Sequence, residues 1–134
     1  MKIINEFPPN FEDIARKFDF KDLKPVFTYG DKIYNPSAGH ISEDLLKHEE
    51  VHERQQGNYG SVQDWWLRYL NDDIFRMSQE LEAYRTQYKF VVDKGTTRDI
   101  RRQFLQDLAK NFSSKLYGNI INKNQALEFI KNHA

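Results

Sequence analysis

The sequence predicts an α+β fold that is predominantly α-helical. Three observations lead to this prediction. Apolar residues recur at helical spacing along most of the chain, helix-capping residue types precede those segments, and one pair of short β-prone segments meets at a glycine turn. A length of 134 residues is typical of one domain, and no repeat or low-complexity tract divides the chain. We therefore expect a single domain that spans residues 1–134.

A short helix and a β-hairpin are predicted in the first third of the chain. Asn10 follows two prolines and can cap a short helix with apolar residues on one side. Residues 26–29 and 32–34 are β-prone, and Gly30-Asp31 between them suits a two-residue hairpin turn. The hairpin therefore directly precedes the next predicted helix.

Capping residues and glycines divide the remainder of the chain into five helices. Ser42 can cap the first of them, and Gly57 can end it. Trp65 and Trp66 in the second are adjacent, so we expect one in the core and the other in a pocket or an interface. The predicted helices run from Ser42 to about Gln56, from Ser61 through Leu70, from Asp73 to Asp93, from Thr96 to between Leu116 and Gly118, and from Gln125 to Lys131.

Composition excludes several classes of function. Twenty basic and twenty acidic residues give no net charge, which argues against a nucleic-acid-binding protein. The absence of cysteine rules out disulfides, thiolate nucleophiles and cysteine-based metal sites. No apolar run approaches the ~18 residues that cross a bilayer, and the N-terminal segment lacks the apolar core of a signal peptide. We expect a cytoplasmic protein that binds neither nucleic acid nor membranes.

The helix after the hairpin contains an HExxH motif, residues 48–52. Residues four apart lie one above the other on a helix, so His48 and His52 can bind one tetrahedral metal ion. Glu49 lies at the flank of that face, where its carboxylate can hold and deprotonate a metal-bound water. The motif therefore predicts metal-dependent chemistry.

The helical phase favours an inward orientation of the two histidines. Lys47, Glu50 and Arg54 fall on the opposite side and predict the solvated face. Gln55 and Gln56 share the inward side, where they can hydrogen-bond groups around the site or pack as linings. The alternative is a pair of core histidines satisfied by hydrogen bonds. Since burial of two imidazoles and a carboxylate is costly unless something satisfies them, we favour a metal ion.

A zinc ion needs a third protein ligand, and the predicted helix 73–93 offers two carboxylates. The apolar stripe of that helix consists of Ile74, Met77, Leu81, Tyr84, Tyr88 and Val91. Glu80 lies about 60° from the centre of the stripe and Glu82 about 140° from it. We therefore expect Glu80 to face the motif and Glu82 to face solvent or a group around the site. His40 and His133 remain open as alternatives.

The two motifs together resemble those of a known family. HExxH followed by Glu80-Leu81-Glu82-Ala83-Tyr84 is similar to the HExxH and ExxAD segments of the gluzincin branch of the zincin-like metallopeptidases. The resemblance covers roughly residues 26–88 and extends to short HExxH proteins found in phages and prophages. The chain departs from the family at Tyr84, because those families have an aspartate there that supports a ligand histidine.

The resemblance implies a minimal zincin-like metallopeptidase domain. His48, His52 and Glu80 would bind Zn²⁺, and Glu49 would be the general base that activates a zinc-bound water to attack a peptide or protein substrate. The hairpin, residues 26–34, would supply the strand edge to which the substrate backbone adds; an equally weighted alternative is a hairpin that only closes the core.

A zinc peptidase also benefits from a hydrogen-bond donor to the developing oxyanion, and three tyrosines are candidates: Tyr84, Tyr117 and Tyr59.

An alternative function is a catalytically silent, zinc-stabilised protein-binding module, of a kind that a phage could encode, with a protein partner. A third interpretation is a metal-free helical interaction domain in which the HExxH pattern is accidental.

Overall fold

The computed structural model describes residues 1–20 and 23–132. Within these ranges the chain forms six α-helices and three short strands, which confirms a predominantly α-helical α+β fold. The elements are β1 (Lys2–Ile4), α1 (Phe11–Lys17), β2 (Phe27–Tyr29), β3 (Lys32–Tyr34), α2 (Glu43–Tyr59), α3 (Val62–Asn71), α4 (Asp73–Asp93), α5 (Arg98–Phe112), a 3-10 turn (Lys115–Tyr117) and α6 (Lys123–Lys131). No helix in the described ranges is long and apolar enough to span a membrane.

The predicted hairpin is present as β2 and β3, and a third strand extends it. The strands pair in the order β1-β3-β2. β2 and β3 are antiparallel, with Thr28 opposite Ile33, and Gly30 adopts the positive φ of 66° that the tight turn requires. β1 pairs parallel to β3 on the other side. This strand was not predicted, because its three residues lack alternation and its partner is distant in sequence.

The predicted helix starts are confirmed at three positions by side-chain caps. The hydroxyls of Ser42 and Ser61 and the carboxylate of Asp72 each accept a hydrogen bond from a backbone amide three residues later. Asn10 also precedes a helix as predicted, but its side chain makes no capping hydrogen bond.

Four predicted helix boundaries were wrong. α2 continues through Gly57 to Tyr59, because a glycine inside a helix costs only about 1 kcal/mol and Gly60 provides the positive φ, 109°, at the end. α5 begins after Thr97 and already ends at Phe112, and α6 begins after Asn122, whose side chain forms a capping box with Gln125.

Two apolar clusters form the core, one at each end of α4. The first contains Ile14, Phe18, Phe27, Trp65, Trp66, Tyr69, Leu70 and Phe75. The second contains Tyr84, Leu105, Leu108, Ala109, Phe112, Ile121, Ala126 and Ile130. Between them α2 packs against α4 and β2. Buried polar side chains are concentrated on the facing sides of α2 and α4.

One prediction about burial was confirmed and one was wrong. Core packing of the tryptophan pair is confirmed, since Trp65 and Trp66 are both buried, and both indoles also line one cavity. Ile74, from the predicted apolar stripe of α4, is 75% exposed, and the buried face of this helix instead includes Glu80 and Gln87. The buried face of α4 is therefore partly polar, and the apolar pattern located only part of it.

A buried arginine fixes the turn that carries Tyr117. Arg76 Nε donates to the carbonyl of Tyr117 (2.9 Å), and Nη1 donates to the carbonyl of Tyr69 (2.6 Å). The guanidinium also pairs with Asp73 and lies 5.1 Å from the centre of the Phe18 ring. These contacts hold the 3-10 turn against α4, so that Tyr117 reaches the same cavity as the tryptophans.

Candidate metal centre

The HExxH helix buries all three functional side chains of the motif. His48, Glu49 and His52 on α2 are 3%, 4% and 5% exposed. One ligand atom from each lies within 4.8 Å of the others, so the group can hold a metal ion. The three residues come together because α2 presents positions 48, 49 and 52 to the core and positions 50 and 54 to solvent.

Glu80 on α4 reaches both histidines from the opposite side. Its Oε1 lies 3.1 Å from His48 Nε2, and its Oε2 lies 3.2 Å from His52 Nε2. Two ligand atoms that each lie 2.0–2.1 Å from a tetrahedral zinc ion are separated by about 3.3 Å. The observed separations are therefore close to those of a ligand set. Glu82, in contrast, is exposed, and its carboxylate contacts Gln55 rather than either histidine.

An amide fixes the orientation of His48. Gln87 Oε1 lies 2.9 Å from His48 Nδ1, and Gln87 Nε2 donates to the carboxylate of Asp44 at 2.8 Å. Because the carboxylate requires the amide nitrogen, the amide oxygen must face the imidazole and accept from Nδ1–H. The Nε2 lone pair of His48 is therefore directed to the side where Glu80 lies.

The same arrangement recurs at His52. Gln55 Oε1 lies 2.8 Å from His52 Nδ1, while Gln55 Nε2 donates to Glu82 Oε1 (2.7 Å) and to the carbonyl of Gln79 (3.0 Å). Two acceptors again set the direction of the amide. Both imidazoles thus donate from Nδ1 to a glutamine oxygen that is itself oriented by a carboxylate, which confirms that Gln55 hydrogen-bonds a group at the site.

Two hydroxyl groups complete the contacts of the carboxylates. Tyr69 donates to Glu80 Oε2 at 2.6 Å, and Thr28 Oγ1 lies 3.4 Å from Glu49 Oε1. Sequence reasoning missed both residues, together with Asp44 and Gln87. Gln87 lies two helical turns after Glu80 on the same face, and this spacing is the pattern that could have indicated it.

Burial and neighbouring charges shift the pKa values of the site. Burial lowers the pKa of His52, but the Glu80 carboxylate outweighs this effect and raises it to about 9. Burial also opposes ionisation of Glu80, yet the two imidazoles hold its pKa well below the usual range. Without a metal, His52 therefore carries a proton at neutral pH that a metal ion must displace. Burial raises the pKa of Glu49 above its ordinary value, which is the direction that makes a carboxylate a stronger base.

The site lies in a cavity of about 180 Å³ that Tyr84 and Tyr117 also line. Their hydroxyls are 2.7 Å apart, and the Tyr84 ring packs edge-on against His48 with 4.6 Å between ring centres. Burial raises the pKa of both phenols well above the ordinary value, so both stay protonated and able to donate. Tyr84 thus contacts the histidine where the resembling families place an aspartate.

Other predicted candidates lie elsewhere. Tyr59 is 38% exposed and packs on Phe75 outside the cavity. His40 is exposed in the loop before α2, and His133 lies outside the described residues.

Comparison of the chain with protein-family models, with curated proteins and with solved structures gives no match. The assignment of function therefore depends on the site itself.

Proposed function

We propose that this protein is a zinc-dependent hydrolase, and specifically a metallopeptidase of the gluzincin type. His48, His52 and Glu80 are the proposed ligands, and Glu49 is the proposed general base. One observation carries the proposal: two Nε2 atoms converge on one carboxylate at 3.1 and 3.2 Å, while both Nδ1 atoms donate to buried or half-buried amides. Imidazole and carboxylate are the ligand types of catalytic zinc sites that keep one position open.

Zinc, when bound, acts as a Lewis acid that polarises a carbonyl and lowers the pKa of water. Glu49 would accept one proton from water and later give it to the leaving amine. The hydroxyl group of the water would join the peptide carbonyl carbon as the C–N bond breaks, which gives an amine and a carboxylic acid that loses its proton to solvent at neutral pH. Tyr84 and Tyr117 are proposed to donate a hydrogen bond to the developing oxyanion.

The polar contacts of the ligands support zinc over a metal-free core. All four imidazole nitrogens have a partner, but both Nε2 atoms share a single carboxylate, that of Glu80. Tyr69 also donates to that carboxylate, and the Glu49 carboxylate lies beside it. Two carboxylates buried against two imidazoles are strongly favoured when a divalent cation compensates the negative charge.

The test is peptide turnover by the zinc-loaded protein and by two matched variants. Glu49→Gln removes the base and leaves the proposed ligands, so we expect zinc to be retained and turnover to fall by about 100-fold or more. Glu50→Gln makes the same chemical change one residue away, on the exposed face of α2, and should keep full activity.

Equal turnover by the parent protein and Glu49→Gln would contradict the proposed base. Absence of turnover in a zinc-loaded parent protein, over a broad peptide library, would instead favour the zinc-stabilised binding module.

A further inference from the structure

The cavity opens on one side of the molecule. Among the described lining residues, the exposed and half-buried ones are Phe20, Lys24, Pro25, Val26, Leu45, Asn111, Leu116 and Tyr117. The lining residues from α3 and α4, and Gln56 at the end of α2, are all buried. The proposed metal centre therefore lies in a pocket with a closed rear wall, and a substrate chain must enter and leave between residues 24–26 and the turn that carries Leu116 and Tyr117.

The outer edge of β2 is closed on the same rear side. Gln56 Nε2 donates to the carbonyl of Thr28 (2.8 Å), and Gln56 Oε1 accepts from the amide of Gly30 (2.7 Å). Trp66 Nε1 donates to the same Thr28 carbonyl at 3.1 Å. The glutamine side chain thus makes the hydrogen bonds that a neighbouring strand would make. An added peptide strand can reach this edge only on the Val26 side.

The cavity volume limits what can lie beyond the scissile bond. An engineered cavity of about 150 Å³ holds one benzene molecule, so 180 Å³ has room for about one residue. Cleavage within a chain requires several residues on both sides of the bond, and both arms would have to pass through one opening. A chain end fits, because its last residue fills the pocket and the rest extends to solvent.

The charges in the pocket decide which chain end fits. Its described lining contains no arginine, and its one lysine, Lys24, is exposed at the opening. A chain end enters such a pocket more readily in its neutral form. At pH 7 an α-carboxyl group is neutral in roughly one molecule in 3,000, whereas an α-amine is neutral in roughly one in ten, so the amino-terminal end fits better. Ile14, Phe18 and Phe27 form an apolar wall that suits an apolar side chain.

We propose that the site acts on the amino-terminal residue of peptides whose first residue is apolar. This inference rests on the proposed hydrolase function. Water supplies a hydroxyl group to the carbonyl carbon of the first residue, and the bond to the second residue breaks. The amine of the second residue receives the proton, and the products are one free amino acid and a peptide shortened by one residue.

The experiment measures binding separately from turnover. The zinc-loaded Glu49→Gln variant is titrated by calorimetry with leucyl-alanyl-alanine amide, with its N-acetyl form, and with N-acetyl-alanyl-alanyl-leucine. We expect the free-amine peptide to bind, and acetylation to weaken binding about 10- to 200-fold, as a misfit in a small pocket does. Equal binding of the acetylated peptide, or tighter binding of the free-carboxyl peptide, would overturn the proposal.

Turnover by the parent protein gives an independent readout on the same peptides and on a longer peptide blocked at both ends. Release of leucine from the free-amine peptide supports the proposal. Cleavage of the doubly blocked peptide overturns it and leaves the hydrolase function standing. A third result is also informative. If Glu49→Gln binds the free-amine peptide selectively but the parent protein cleaves none of the peptides, the proposed hydrolase function fails, whereas recognition of the amino terminus stands.

Discussion

Replacement of Gln87 by leucine should weaken zinc binding by about 10- to 100-fold. The leucine is similar in size but removes the acceptor 2.9 Å from His48 Nδ1 and the donor 2.8 Å from Asp44. A buried N–H without an acceptor costs about 1–3 kcal/mol. This cost raises the free energy of the zinc-bound state, because His48 Nε2 would then bind the metal and Nδ1 must carry the proton. At 1.36 kcal/mol per factor of ten, the penalty matches the expected loss of affinity.

The assay is competition for zinc against a chromophoric chelator at fixed pH. Gln103→Leu is the matched control, because Gln103 also donates to an aspartate, Asp107, at 3.0 Å, but on the exposed surface of α5. The pair Gln87→Glu with Asp44→Asn exchanges amide and carboxylate and places a charged acceptor on His48. It should restore or exceed parental affinity, since charge-assisted hydrogen bonds are about twice as strong.

Parental zinc affinity in Gln87→Leu would refute the orienting role of the amide. Equal losses in Gln87→Leu and in the exchanged pair would also contradict it, because the pair retains an acceptor for Nδ1.

Three further predictions concern stability. Since the pKa of His52 is raised to about 9 from an ordinary 6.5, the metal-free protein gains stability below pH 6.5 that it loses as the pH rises through about 9. Its urea midpoint in chelator should therefore fall between pH 6 and pH 9.5, and a rising midpoint would contradict the Glu80–His52 pairing. Zinc at about 100 times its Kd should raise the Tm by about 5–10 °C relative to chelator, whereas an unchanged Tm would argue against a site in the folded state. Phe112→Ala should lower the free energy of unfolding by about 3–5 kcal/mol in urea titrations, because Phe112 is fully buried and stacks on Tyr84. A loss below about 1 kcal/mol would place Phe112 outside the core.

Local chemistry made the helices predictable. Ser42, Ser61 and Asp72 act through backbone amides three residues away, so their effect is visible in a short stretch of sequence. The glycine turn of the hairpin is equally local. β1 was missed because it is defined by parallel pairing with a strand about thirty residues later, and such pairing leaves no local pattern.

The motif residues were predictable for a similar reason, whereas the residues that hydrogen-bond around them were not. The i, i+4 spacing of the two histidines is a property of one helix, and Glu80 followed from its phase on another. Asp44, Tyr69 and Gln87 act across 43, 11 and 39 residues of sequence separation. Their placement depends on how α2, α3 and α4 pack together, and no periodicity within one helix contains that information.

The measurement that tests the account most directly is the zinc content of the purified protein by elemental analysis. It compares the parent with His48→Ala and Glu80→Ala, and with His40→Ala as a matched control, because His40 is exposed and does not line the cavity. We expect about one zinc ion per chain in the parent and in His40→Ala, and much less in the other two variants. A parent protein that carries no zinc and takes up none when zinc is added would contradict the proposed metal centre.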